Sequence, residues 1–291
     1  MSIIKIISFI IRHPFNKNDK FSALLRFIKW QINVRLNPYP VLYPFTENTT
    51  LLIQKGMTGA TGNLYCGLVE YEDMSFLLHL LRESDLFADV GANIGAYTIL
   101  ASGEIGSQTL AFEPIPDTYK KLMDNVNINR LGHKVQACNI GIGKEKGKIK
   151  FTASLDTVNH VAYDDSGSQI EVDVDTLDNL LSNIPTLIKI DVEGFETEVI
   201  FGADRLLSDT ALKAIIIELN GSGLNYGFKD EDIHEKILSY GFKPFMYNPA
   251  TRSLSELKSF GKDNTLYLRD IPFIDERVKT ARKVRIGKQA I

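Results

Sequence analysis

Cysteine is scarce: the 291 residues contain two, Cys66 and Cys138. Two thiols cannot build a disulfide framework or a cysteine zinc site, and a reducing compartment is the expectation. The five histidines, His13, His79, His133, His160 and His234, show no pairing at metal-ligand spacing. Long apolar runs are missing as well. The start, Met1 to Arg12, is apolar but short, is broken by Lys5, and leads into His13-Pro14-Phe15 where a signal peptide needs a small-residue cleavage site. No stretch reaches the roughly 18–20 apolar residues that span a bilayer, so a cytoplasmic protein is expected. Repeats and low-complexity tracts are also absent. With 44% hydrophobic and 24% charged residues, the composition excludes disorder, collagen and coiled coil.

What is present is an uneven charge. The net value is −3, yet the first 36 residues carry seven Lys/Arg against one acid, Asp19. Residues 275–291 carry six against Asp275 and Glu276, which leaves −13 for the body between the ends. An acidic body of this kind argues against phosphate neutralisation of a nucleic acid. Residues 21–36 place Leu24, Leu25, Ile28, Ile32 and Leu36 near helical spacing, with Arg26, Lys29 and Arg35 between them. Two readings follow: a basic amphipathic helix on the inner face of an anionic membrane, as a peripheral association, or a helix that packs its apolar stripe on its own core.

From residue 84 onward, short β-rich runs alternate with helical stretches, the signature of βαβ units. Strands are expected at 86–90, 109–113, 135–140, 187–190 and 214–219, with helices at 97–102, 117–131, 197–207 and 232–240, the last capped by Gly241. Residues 148–151 and 170–174 read as an inserted pair, and 243–247 with 264–268 as an antiparallel pair closing the sheet. Three regions are expected: an extension over 1–83, helical or irregular with a possible lid, an α/β domain over 84–270, and a basic tail over 271–291.

Phe87 to Thr98 is the most informative segment. A strand ends at Val90, a Gly-rich turn follows, and a helix begins. The order is D-x-G-x-N-x-G, with Asp89, Gly91, Ala92, Asn93 and Gly95, where a dinucleotide loop needs G-x-G-x-x-G. A carboxylate at Asp89 repels pyrophosphate but suits the amino and sulfonium groups of S-adenosylmethionine. The next strand ends in Glu113-Pro114, with the acid 24 residues beyond Asp89, where it can accept two ribose hydroxyls. Asn139, near the end of the third strand, completes the expected cofactor contacts.

Four segments, Asp89–Gly95, Phe112–Pro114, Val174–Asp178 and Ile188–Glu196, resemble the FkbM-type S-adenosylmethionine-dependent methyltransferases. K-x-D-x-E-G-x-E after a strand is close to a signature of that family. Asn264–Tyr267 fits its final strand, and Gly56–Gly67 is similar to the N-terminal region of its bacterial members. The resemblance implies a class I methyltransferase, Rossmann-like α/β fold whose seven-stranded, mostly parallel sheet has an antiparallel last strand. It also implies O-methylation of a hydroxyl on a sugar or glycan, either a polysaccharide or a lipid-linked glycan. A non-sugar natural product as acceptor and a non-catalytic cofactor-binding module are the alternatives.

Removing the proton of a sugar hydroxyl calls for a general base, and ligands of open α/β sheets sit beyond the carboxyl ends of the strands. Asp191 and Glu193 follow the 187–190 strand and are the catalytic candidates, as base or as the group orienting the acceptor. Glu196 suits support of the following helix, and Lys189 an ion pair with these acids. Glu218 and Asn220 end the next strand. No metal is assigned, although Asp191, Glu193 and Glu218 are oxygen ligands of the kind Mg²⁺ takes. His160 and His234 are weaker candidate bases. Met57–Gly67 reads as a loop, either a lid or an exposed connector. Asn37-Pro-Tyr-Pro40 lacks the paired prolines of an amino-methylating loop, and Cys66 reads as buried packing.

Overall fold

A computed structural model describes residues 3–152 and 169–291; the candidate base His160 lies outside the described residues. The chain opens with helices α1 (Ile3–Arg12) and α2 (Lys20–Leu36), the hairpin β1 (Val41–Pro44) and β2 (Thr50–Ile53), and helices α3 (Thr58–Cys66) and α4 (Tyr71–Leu80). The expected alternation follows: β3 (Leu86–Val90), α5 (Ala96–Ile99), β4 (Gln108–Phe112), α6 (Pro116–Ile128) and β5 (Val135–Cys138). A side sheet comes next, made of β6 (Gly141–Ile142), β7 (Gly147–Thr152) and β8 (Gln169–Asp175). After it run α7 (Leu177–Leu180), β9 (Leu187–Ile190), α8 (Glu196–Phe201), α9 (Asp204–Ser208), β10 (Ala214–Glu218) and α10 (Asp230–Ser239). The chain closes with β11 (Lys243–Asn248), β12 (Ser253–Glu256), β13 (Asn264–Leu268), α11 (Ile271–Thr280) and the hairpin β14 (Arg285–Ile286) and β15 (Gln289–Ala290).

The main sheet has the order β12-β11-β13-β10-β9-β3-β4-β5. β5, β4, β3, β9 and β10 run parallel, and β13 is antiparallel to both its neighbours. This is the class I methyltransferase arrangement with one strand more than expected, because β12 returns along the edge strand β11 as an antiparallel hairpin. The order reverses between β3 and β9, which puts the switch-point crevice at their carboxyl ends.

Strand alternation divides the core into two layers. Phe87, Leu187, Ala214, Ile216 and Leu266 face one layer, while Ala88, Val90, Ile188, Ile190, Ile215 and Ile217 face the other. The second layer is closed by α7–α10, with Leu177, Val199, Leu206 and Ile237 buried in it. The first is closed by α5 and α6, with Ile99, Leu122 and Val126 buried, and by segments that sequence reading left outside the α/β unit: Ile10, Phe27, Trp30, Leu51, Phe76 and Leu77 from the N-terminal region.

Three expectations change here. The stretch 271–291 is no loose tail: Ile274, Val278, Val284 and Ile286 are buried in that same layer, and Arg277 and Arg282 pair with Asp85 and Glu104. The Gly56–Gly67 stretch is largely the helix α3, with Ala60, Tyr65 and Cys66 buried. Burial raises the Cys66 thiol to about 12, so packing is its role. Finally, α2 buries Ala23, Phe27 and Trp30 and leaves Leu25, Ile28, Ile32 and Leu36 exposed. The aromatic face packs, and most of the aliphatic stripe singled out in the sequence does not.

Candidate active site

The turn after β3 is shaped by backbone geometry. Gly91 and Ala92 both donate their N–H to the carbonyl of Phe112, at 3.0 and 2.9 Å. Gly91 has φ +76, and a Cβ there would lie 1.8 Å from the carbonyl oxygen of Asp191. Glycine is therefore needed for the approach of β9's end as well as for the turn. Gly95 has φ +88, and Asn93 adopts φ +53, a left-handed conformation that asparagine tolerates better than most residues.

Glu113 ties this turn to the next. Its carboxylate accepts from Asn93 N–H at 2.9 Å and from Ile115 N–H at 3.0 Å. Burial raises its pKa to about 7 against those two hydrogen bonds. Asn139 donates its amide to the carbonyls of Glu113 and Pro114, both at 2.8 Å, and so holds the turn that presents the acid. Asp89 is 1% exposed. One of its oxygens accepts from Thr98 Oγ1 at 2.6 Å, while the other is buried with no hydrogen-bond partner among the described residues. Burial pushes its pKa up.

Lys189 stands opposite Asp89 on the neighbouring strand. It is buried, donates to Asp191 at 2.8 Å, and lies 4.7 Å from the centre of the Tyr97 ring. Burial works against its charge, but Asp191, Glu70 and Asp89 outweigh it, and the net direction is up. Lys189 therefore stays protonated as a structural counter-ion. Asp191 and Glu193 both line a cleft with Gly91, Asn93, Glu113 and Pro114. Glu193 sits at φ +53. Its pKa is raised, first by burial and then by Asp191, with no hydrogen bond to offset the rise.

Glu196 props up the turn that carries Glu193, accepting from Val192 N–H at 3.0 Å and Gly194 N–H at 3.2 Å. Glu218, at the end of β10, is raised to about 8, first by burial and then by Asp191, Glu193 and Glu196. Asn220 is turned to its own loop, where it accepts from Ser222 N–H at 2.8 Å. Among the described residues, no three His, Cys, Asp or Glu side chains form a group that could hold a metal ion. His234 is not at this rim. It hydrogen-bonds Tyr267 Oη at 2.7 Å, and Tyr267 pairs with Ile215, three residues short of Glu218 on β10.

Sequence reading missed two groups. Glu70 and Asp73, at the start of α4, reach Asn264 at 3.3 and 3.0 Å, and Tyr97 Oη donates to Glu70. Burial raises Asp73 to about 7 and lifts Glu70 as well. Their sequence context carries no motif, and only tertiary packing brings them beside Lys189. The second group is aromatic: Phe195 packs edge-on to Tyr226 at 5.7 Å and to Phe228 at 6.3 Å. Phe195 also lines the cleft beside Glu193.

Comparison with known proteins gives a concordant result. A family model described as Methyltransferase FkbM domain matches residues 89–244. The chain is 28% identical over 155 residues to Hexuronic acid methyltransferase AglP of Haloferax volcanii, covering 52% of this chain and 62% of that protein. It is 28% identical over 149 residues to Methyltransferase 1 of Beauveria bassiana, covering 42% of this chain and 59% of that one. The matched stretch thus spans less than two thirds of either relative's length. A crystal structure of Methyltransferase FkbM from Methylobacillus flagellatus KT is 20% identical with a TM-score of 0.45, covering 72% of this chain and 52% of that one. The family match spans more than half of the chain, and the protein belongs to the Methyltransferase FkbM domain family.

Proposed function

We propose that this protein is an S-adenosylmethionine-dependent O-methyltransferase acting on a hydroxyl of a sugar or glycan. One observation carries the reading: Glu113, Asp191 and Glu193 line one cleft with Gly91 and Asn93 at the crevice where the strand order reverses, and Asp89 is buried on β3 two residues before that turn. The cofactor supplies an electrophilic methyl on a sulfonium and, with its amino group, a positive charge. The donor set fits such a molecule, since the buried, unpartnered oxygen of Asp89 needs a donor to offset its desolvation. Glu113 gives one lone pair of each oxygen to backbone N–H groups and keeps a second for ribose hydroxyls.

Acceptor chemistry falls to the β9–α8 turn. Glu193 is the proposed base: a carboxylate whose pKa is lifted by burial holds a proton better near neutral pH than an ordinary one. The hydroxyl proton passes to its carboxylate as the new carbon–oxygen bond forms. Asp191, fixed by Lys189, orients the same hydroxyl. The sugar class is supported by the likeness to AglP, a hexuronic acid methyltransferase.

Calorimetry with S-adenosylmethionine tests the cofactor, and a turnover assay on uronic acid and hexose acceptors tests the reaction. Glu113→Ala is expected to abolish cofactor binding. Glu193→Gln is expected to keep binding and to lower kcat by about 10² to 10⁴. Absence of binding, or binding indifferent to Glu113→Ala, overturns the reading.

A further inference from the structure

The two basic ends of the chain have different fates. At the C-terminus, Arg277 and Arg282 are consumed by Asp85 and Glu104 of the body. On α2, no salt bridge among the described residues joins Lys20, Lys29 or Arg35 to an acid, and Asp19 at the N-cap is spent on the backbone N–H of Ser22. Helices α1 and α2 carry basic side chains and no acid.

Their apolar residues are equally lopsided. Of the fourteen exposed large hydrophobics among the described residues, ten lie between Ile3 and Leu42. On α2 they form one stripe: Phe21 is 78% exposed, Ile28 51%, Ile32 54% and Leu36 79%, with Leu25 between them. At about 100° per residue, this stripe points roughly opposite to the face formed by Ala23, Phe27 and Trp30, which is buried. A single helix cannot rotate to cover both. The same geometry sets Lys29 on one flank of the stripe and Arg35 on the other.

We propose that the outer face of α2 is a docking surface for an anionic lipid bilayer. Two features select this occupant over a second copy of the chain. A two-fold contact would press Lys29 and Arg35 of one copy toward those of the other, and like charges in a desolvated contact are repulsive. An acidic lipid surface instead attracts both flanks while the acyl region takes up the isoleucine and leucine side chains. The surface also needs no shape complement, which suits a convex helix exposed along its length. The inference stands apart from the methyl-transfer reading, and its failure leaves that reading untouched.

The test is flotation of the full chain with vesicles of phosphatidylglycerol against vesicles of phosphatidylcholine. The chain is expected to float with the first and not the second, and to be released as salt rises. Ile28→Asp with Ile32→Asp is expected to weaken flotation at least about tenfold with an unchanged melting temperature, since both side chains are exposed. Lys29→Ala with Arg35→Ala keeps the apolar stripe, guards against misfolding of the aspartate pair, and is expected to weaken flotation by a similar factor. Flotation by neither vesicle, or flotation unaffected by both double variants, overturns the proposal. So does a dimer in size-exclusion chromatography that Ile28→Asp with Ile32→Asp dissociates while vesicles are ignored.

Discussion

Gly91 shows how much a single position carries. A methyl group there meets the Asp191 carbonyl at 1.8 Å, and φ is +76, so substitution forces β3 and β9 apart at the turn after β3. Gly91→Ala is expected to cost about 3 kcal/mol or more of stability, read as a lower denaturant midpoint, together with loss of S-adenosylmethionine binding. An unchanged midpoint would contradict the packing argument. The buried carboxyls make a second residue-level prediction. Glu113, Glu196 and Asp73 are raised to about 7 and Glu218 to about 8, each chiefly by burial. Each binds its proton more tightly in the folded chain than in the unfolded one, so its contribution is complete below the unfolded pKa and is lost as pH rises through the folded value. The melting temperature should therefore fall between about pH 5 and pH 8, and Glu113→Gln should flatten part of that fall. A cationic cofactor favours the ionised carboxyls, so binding at neutral pH should release protons, visible as a buffer-dependent calorimetric enthalpy.

At the scale of elements, the β9–α8 turn is the piece that places chemistry. Glu196 was legible as a helix-supporting acid, and it accepts from the N–H groups of Val192 and Gly194. Glu196→Ala leaves the buried Gly194 donor and the half-buried Val192 donor unpaired and is expected to cost about 1–3 kcal/mol. Its larger effect should be on kcat, because Glu193 rides on the same turn, while Glu196→Gln keeps an acceptor oxygen and should be milder. A variant with normal kcat would remove Glu196 from this supporting role. Helix α2 marks where element-level reading stopped. Its aliphatic stripe and its aromatic face both repeat at helical spacing, so periodicity could establish a helix but not which side would be buried. Phe27 and Trp30 face inward because α1 and α3 pack against that side of the helix, where Phe27 meets the Tyr65 ring edge-on.

For the whole molecule, the N- and C-terminal regions are structural parts of the α/β unit, packing together with α5 and α6 on one face of the main sheet. Truncation after Leu268 removes Ile274, Val278, Val284 and Ile286 from that layer and strips Asp85 of Arg277. Such a chain is expected to be insoluble or to lack a cooperative melt. The milder Asp85→Ala leaves a largely buried guanidinium uncompensated and should cost about 3 kcal/mol, measured by chemical denaturation. The N-terminal region does more than fill space, since α4 delivers Glu70 and Asp73 to the acidic rim beside Lys189.

By itself the sequence determined the strand–helix alternation, the D-x-G-x-N-x-G turn, and the acids ending the first, second and fourth strands of the parallel set. Those features are local: they depend on side-chain period, on glycine at positive φ, and on short spacing along one chain. Only the tertiary structure decided which face of α2 is buried, that 271–291 folds onto the core, and that Glu70, Asp73 and Asn264 meet. Those contacts join residues up to 274 positions apart. Burial and charge at such a meeting point depend on what packs there, which no local pattern encodes.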